Sequence, residues 1–272
     1  MSGGATGIRL SAAIVCKNNE RSISATIESI RGLCDEIVAV DSGSTDRTIE
    51  MLEAAGAKVI RSAWLGHVKT KQMALEACAG AWVLCIDSDE SVRPDLAAAI
   101  SRAIDQAGSD QNVGGFMVNR KVYYKGVALN YAWQPEWRCR VVRRGAASWG
   151  GIDPHDVLSV QPGRGGTRKL AGTLRHDSFE TFLEQLGKQV RYAQIQAEGM
   201  IREGYRTNPL TPIRLMVSPP AAFFKQLVLK RALLDGRAGW MAAACAGAQA
   251  LMKQVALMEM SEERLARGDA RK

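Results

Sequence analysis

Only 6 of the 272 residues are cysteine and only 3 are histidine, and no two cysteines form a C-x-x-C pair. Cys16, Cys34, Cys78, Cys85, Cys139 and Cys245 are scattered, and Cys16 and Cys85 fall inside apolar runs where a thiol packs as a small hydrophobe. Neither a zinc cluster nor a disulfide framework is indicated. Long apolar runs are missing as well. The first apolar stretch, residues 10–16, is too short for a signal peptide and is followed at once by Lys17-Asn18-Asn19-Glu20-Arg21. Residues 238–252 are interrupted by Gln249 and fall short of the roughly 18 residues that a membrane span needs. The expectation is a chain that crosses no bilayer and works in a reducing cytoplasm. A Rossmann oxidoreductase is excluded by the missing G-x-G-x-x-G, and there is no internal repeat or low-complexity tract.

What is present describes an ordinary folded chain. Hydrophobic residues make up 46% and charged residues 24%, and the length suits one large or two modest domains with a sizeable core. The formal charge of +8 is unevenly placed. Met1 to Glu136 carries 14 Lys+Arg against 16 Asp+Glu, whereas Trp137 to Lys272 carries 22 against 12. The second half therefore either meets an anionic partner or simply presents a solvated basic face.

Residues 1–8 read as a flexible terminus. From Arg9 to about Ile104 strands and helices alternate. Apolar runs at 10–16, 36–40, 58–61 and 82–86 read as buried strands. Between them, Ile23, Ile27 and Ile30 share one helical face, helices follow at 47–55 and 69–79, and Pro94 opens a further helix. Continuous apolar strands between amphipathic helices predict a doubly wound, mostly parallel α/β sheet, Rossmann-like, covered on both faces. After Gly114 shorter strands are expected at 115–118, 122–124 and 138–143, then a loop-rich stretch at 146–166. From Phe179 onward helix dominates, divided by Pro219-Pro220.

In such sheets ligands bind beyond the carboxyl ends of the strands. There the sequence places Lys17-Asn-Asn-Glu20, Asp41-Ser-Gly-Ser-Thr-Asp46 and Asp87-Ser-Asp-Glu90. Asp46 reads as a helix cap. Asp87 and Asp89, one residue apart after a buried strand, repel each other unless a cation or a donor network separates them, and hard divalent ions take such oxygen ligands. These three motifs together resemble the inverting family-two glycosyltransferases of GT-A fold. Further on, Gly150-Gly-Ile-Asp-Pro-His-Asp-Val-Leu158, Leu174-Arg-His-Asp-Ser-Phe179, Lys188-Gln-Val-Arg-Tyr192 and Leu234-Asp-Gly-Arg-Ala-Gly239 resemble the lipopolysaccharide inner-core subgroup that adds a β-linked glucose to heptose.

The resemblance implies a metal-assisted hexosyltransferase with a GT-A domain at 9–178, its nucleotide-sugar half at 9–110 and acceptor half at 111–178, and a helical extension at 179–272. It implies that Asp41 reads the nucleotide base, that Asn19 and Glu20 line the nucleotide pocket, and that Asp87 lies near ribose and diphosphate. Asp89 becomes the ligand of Mg²⁺ or Mn²⁺, with Asp87 beside it. Lys71 either approaches the phosphates or is a solvated helix lysine. Asp156, in Pro154-His-Asp156, is the candidate base, where the subgroup pattern has His followed by an acid, with Asp153 and Glu136 as alternatives. His155 either joins the diphosphate or metal shell or is a loop residue, while His67 and His176 enter no constellation. Trp133 on the acceptor side fits a sugar face or packing, and Arg138 and Arg140 fit acceptor phosphates.

Residues 213–237 interleave apolar side chains with Arg214, Lys225, Lys230, Arg231 and Arg237. The segment suits either an anionic membrane interface or packing on the domain. The partners expected are a nucleotide sugar, favouring UDP-glucose, a lipid-linked or core oligosaccharide acceptor, and the cytoplasmic face of the inner membrane; no nucleic acid is expected. A sugar nucleotidyltransferase would want a Gly-rich, lysine-bearing loop after the first strand, and a basic adaptor gives Asp87 and Asp89 no purpose.

Overall fold

The computed structural model describes residues 7–152, 155–208 and 210–266, without the side chains of Ile152, His155 and 263–266. The described residues form two compact units, one made of the chain up to Lys121 with Pro135–Ser178, the other of Val122–Gln134 with the chain from Phe179 onward.

In the first unit the expected alternation holds: β1 (Leu10–Cys16), α1 (Ile23–Ile30), β2 (Glu36–Asp41), α2 (Thr48–Ala54), β3 (Lys58–Arg61), α3 (His67–Glu76) and β4 (Trp82–Asp87). These four strands are parallel, in the order β3-β2-β1-β4. Both of their faces are covered, which is why they read as continuous apolar runs. Leu10, Ala12 and Ile14 face one core cluster, and Ala13 faces another with Val38, Val83 and Cys85.

Beyond β4 the sheet changes direction. Strand β5 (Glu90–Val92), helix α4 (Pro94–Ala107), β6 (Val113–Tyr124), the short β7 (Val127–Ala128) and β8 (Trp137–Arg143) come next. The order continues β4-β8-β6-β11-β5, with β8 antiparallel to both β4 and β6. The sheet is therefore mixed: its nucleotide half is parallel and its second half is not. The two strands expected at 115–118 and 122–124 are one strand, β6. The stretch expected to be loop is instead an antiparallel hairpin, β9 (Ala147–Ile152) and β10 (His155–Val160), followed by the strand β11 (Gly166–His176). Of its glycines, Gly165, at φ 91°, is required by a close approach, since a Cβ there would stand 2.7 Å from the Gln111 carbonyl oxygen. Gly172, at φ 89°, brings β11 so close to α4 that a Cβ there would stand 2.7 Å from the Leu96 nitrogen.

The second unit is mainly helical: α5 (Phe182–Arg202), α6 (Thr211–Phe224), a π-helical turn at Lys225–Leu229, a 3-10 turn at Ala232–Asp235 and the long α7 (Gly236–Ala266). Pro219 and Pro220 do not divide the tail, since α6 runs through them. The Leu234-to-Gly239 motif is structural here. Asp235 accepts the backbone N–H groups of Asn130, Tyr131 and Ala132 at 2.8, 3.0 and 2.7 Å. Gly239 lets α7 pass against Ala232, whose carbonyl oxygen would lie 1.6 Å from a Cβ. Among the described residues no helix is long and apolar enough to cross a membrane.

Candidate active site

The carboxyl ends of β1, β2 and β4 lie side by side through the register Cys16↔Asp41 and Val15↔Asp87. Asp41 is buried and accepts the N–H groups of Gly43 and Ser44, each at 2.9 Å, together with the Ser44 hydroxyl. Burial works against its charge, but these donors prevail and hold its pKa below the usual carboxylate value. The first-strand loop locks onto the second. Asn18, at φ 53°, accepts the Thr45 N–H at 2.8 Å, the Asn19 N–H donates to Thr48 Oγ1 at 2.8 Å, and Glu20 pairs with Arg47 at 2.7 Å. The hydrogen bond from Arg47 lowers the Glu20 pKa. Asp46 stands one residue before Arg47, the N-cap of α2, and accepts the N–H of the first helical residue, Thr48, at 3.0 Å and its hydroxyl at 2.5 Å.

Four charged groups converge around Asp87. Lys71 Nζ, on α3, lies 2.7 Å from Asp87 Oδ1 and 2.8 Å from Asp156 Oδ2 on β10, and its side chain is only 10% exposed. Lys71 is thus no solvated helix lysine. Burial opposes its charge, yet Asp87 and Asp156 raise its pKa. Arg140 Nη2, from β8, contacts Asp87 Oδ2 at 2.8 Å and Glu90 Oε1 at 2.6 Å. Burial opposes the Asp87 charge, and Arg140 and Lys71 overcome it, holding its pKa well below the usual range. The Trp149 ring lies beneath both cations, 4.8 Å from Lys71 Nζ and 5.9 Å from Arg140 Cζ.

Arg140 therefore sits among the strand-end carboxylates Asp87 and Glu90, 4% exposed, while Arg138 remains 42% exposed at its side chain. Trp133 belongs to the second unit, where it meets the Phe179 ring edge on. Glu136 is clamped by Arg120 at 2.6 and 3.0 Å and by Arg138 at 2.8 Å. Burial raises its proton affinity, but the two guanidiniums bring the pKa down to about 2, which makes it a poor base. Asp153 lies outside the described residues, as does the side chain of His155.

Two groups were missed by sequence reasoning. Glu90 is 0% exposed, accepts the Asp87 N–H at 3.0 Å and receives Arg120 at 3.3 Å. His176, at the end of β11, is placed by the register His176↔Glu90, and its Nε2 lies 3.4 Å from Asp89 Oδ2. The signal for both lay in motifs already noted, the acid closing Asp87-Ser-Asp-Glu90 and the histidine in Leu174-Arg-His176.

Among the described residues no three His, Cys, Asp or Glu side chains converge as a closed metal cage. Of the described strand-end carboxylates, Asp89, beside His176, is the one with an oxygen left to offer a divalent ion. Burial opposes the Asp89 charge, yet His176 in its charged form helps hold the carboxylate ionised; the Asp89 oxygens are the donors that suit Mg²⁺ or Mn²⁺, and His176 would add a nitrogen ligand only when neutral. Asp87 has both oxygens engaged by protein cations and is less available.

The mixed sheet, with Lys71, Arg140 and the Asp89–His176 pair gathered near the ends of its strands, has the GT-A fold. The glycosyl transferase family 2 model matches residues 11–146, and the chain belongs to that family. It is 31% identical to the lipopolysaccharide core biosynthesis glycosyltransferase LpsC of Rhizobium meliloti, over 79% of either chain. An uncharacterized glycosyltransferase of Rickettsia prowazekii is 27% identical, over 85% of this chain and 80% of that protein. The mannosyltransferase of Pyrobaculum calidifontis, solved with GDP-Man and Mn²⁺, shares the fold with a TM-score of 0.54 at 14% identity, covering 92% of this chain and 87% of that one.

Proposed function

We propose that this glycosyltransferase moves a hexose, glucose in first place, from a nucleoside diphosphate, UDP in first place, to a lipopolysaccharide core or similar cell-envelope glycan, with inversion at the anomeric carbon. The observation that carries the reading is the shared ammonium of Lys71, which joins the donor-side Asp87 to Asp156. Asp41, Asn19 and Glu20 form the nucleotide side, and Lys71 and Arg140 supply positive charge beside the diphosphate. Asp89 and His176 would hold Mg²⁺ or Mn²⁺, which neutralises charge on the leaving diphosphate when bound. Asp156 takes the proton from the acceptor hydroxyl as that oxygen bonds to the anomeric carbon and the diphosphate leaves on the opposite face. Arg138 and Trp133 are the acceptor-side groups. Residues 9–178 act as the catalytic domain, nucleotide-sugar half first, and 179–272 as its extension.

Support comes from the likeness to the Rhizobium meliloti enzyme, whose name assigns it to lipopolysaccharide core synthesis. An acceptor built on a lipid brings the enzyme to the cytoplasmic face of the inner membrane. The test offers a panel of nucleotide sugars with and without Mn²⁺, reads thermal stabilisation, and supplies the best donor with a heptose-bearing core. A β-linked product from an α-linked donor is expected, and Asp156→Asn should bind donor normally while transferring about 10²- to 10⁴-fold more slowly. Retention of configuration, or near-normal transfer by Asp156→Asn, would overturn the mechanism.

A further inference from the structure

One face of the second unit has no use in the chemistry above. Leu210, Ile213, Val217, Phe224 and Val228 recur at helical spacing along α6 and the π-helical turn, and all five are exposed. The opposite side of the same segment is the packed one. Gln226 and Leu227 are buried, and Gly247 of α7 approaches the Pro219 carbonyl so closely that a Cβ would stand 3.2 Å from it. The exposed apolar stripe is thus a second face of a helix whose first face already packs. A folded chain in water gains nothing by displaying it.

Charge says what covers it. Arg214, Lys225, Lys230, Arg231 and Arg237 border the stripe and are exposed, and among the described residues none of them pairs with a carboxylate. Between residues 210 and 240 the one acid is Asp235, whose carboxylate is taken by three backbone N–H groups. The contacts of these cations are with neutral groups: Arg214 donates to the Tyr205 hydroxyl at 3.0 Å, Lys230 to the Gln134 carbonyl oxygen at 3.4 Å, and Arg231 lies 5.6 Å from the Tyr131 ring. Trp240, also exposed, lies 6.1 Å from the Phe223 ring, next to Phe224. An apolar stripe flanked by cations that have no carboxylate partner among the described residues, with a tryptophan beside it, matches the polarity profile of a bilayer interface with anionic headgroups.

We infer that the stripe from Leu210 to Val228, with its flanking lysines and arginines, is a docking surface for an anionic lipid bilayer, lying in the interface without crossing it. The inference deepens the reading of a lipid-held acceptor and rests on it for the surface's purpose. The full chain is sedimented with vesicles of phosphatidylglycerol and phosphatidylethanolamine, and separately with phosphatidylcholine alone. Binding is expected to the anionic vesicles only, weakening as salt rises from about 0.05 to about 0.5 M. Lys225→Glu with Arg237→Glu should weaken it at least tenfold, roughly one unit of headgroup attraction being lost per cation. Phe224→Glu with Val228→Glu should abolish it. All four positions are exposed, so the melting temperature should hold. A wild-type chain that stays in the supernatant, binds phosphatidylcholine equally well, or self-associates through these residues without binding lipid overturns the inference. Transfer to a delipidated, water-soluble core distinguishes the two claims: the variants should keep it, whereas its absence in the wild type counts against the proposed activity and not against the surface.

Discussion

Lys71 Nζ and Asp156 Oδ2 stand 2.8 Å apart although 85 positions separate them in the sequence. The same ammonium neutralises Asp87, so one nearly buried cation keeps two carboxylates from repelling each other. Arg140 also compensates Asp87, whereas among the described residues Asp156 has its ion pair with Lys71 alone, so Asp156 is the group more exposed to loss of its partner. Lys71→Met should therefore lower unfolding free energy by about 3 kcal/mol, the usual cost of breaking a buried pair from one side. Donor affinity should fall with it. Lys71→Arg keeps the charge and should recover most of the stability. Urea unfolding checks the first effect and donor titration the second; a wild-type midpoint for Lys71→Met would mean the bridge contributes nothing in solution.

Acid should unfold the first unit through a definable group. Glu136 titrates near 4.5 in an unfolded chain and at about 2 when clamped by Arg120 and Arg138. The unfolded state thus binds more protons over that interval, so the stabilisation is complete above about pH 5 and is lost as pH falls towards about 2. Asp41, Asp87 and Asp89 have pKa values shifted in the same direction and add to the slope. Glu136→Gln should remove roughly 3 kcal/mol of the pH dependence between pH 5 and 2, while costing stability at pH 7. Chemical denaturation at a series of pH values checks this, and an unchanged slope would remove Glu136 from the acid transition.

The parallel half of the sheet was legible because burial on both faces leaves a local trace: uninterrupted apolar runs that end in Asp41 and Asp87. Antiparallel elements left a weaker trace. The β9–β10 hairpin contains Gly150 and Gly151 and reads as loop, yet it carries Asp156 to Lys71. The position of His176 depends on β11 pairing with β5, a register between segments more than 80 residues apart that no local periodicity encodes. From the sequence Arg140 reads, with Arg138, as a partner of acceptor phosphates, because alternation on a strand does not say which face meets buried carboxylates. What the sequence held was the inventory of charges, and the antiparallel pairings decided which of them met.

The pairing of Asp89 with His176 leads to the last prediction. The Asp89 carboxylate, in the turn between β4 and β5, meets the His176 imidazole at the end of β11, and on the proposed reading the two supply about two of the six ligands of a divalent ion. Such a site should bind Mn²⁺ weakly alone and much more tightly once a diphosphate supplies oxygen ligands. Titration calorimetry of Mn²⁺ into the protein with UDP should therefore give an affinity that Asp89→Asn and His176→Ala each reduce at least tenfold. UDP binding without metal should change little, because Asp41, Lys71 and Arg140 are untouched. Removing metal with a chelator should abolish transfer in the wild type and leave its fold intact, since Asp89 and His176 keep each other's company without it. If His176→Ala binds Mn²⁺ as the wild type does, the histidine is structural and the ion is held by Asp89 through some other neighbour.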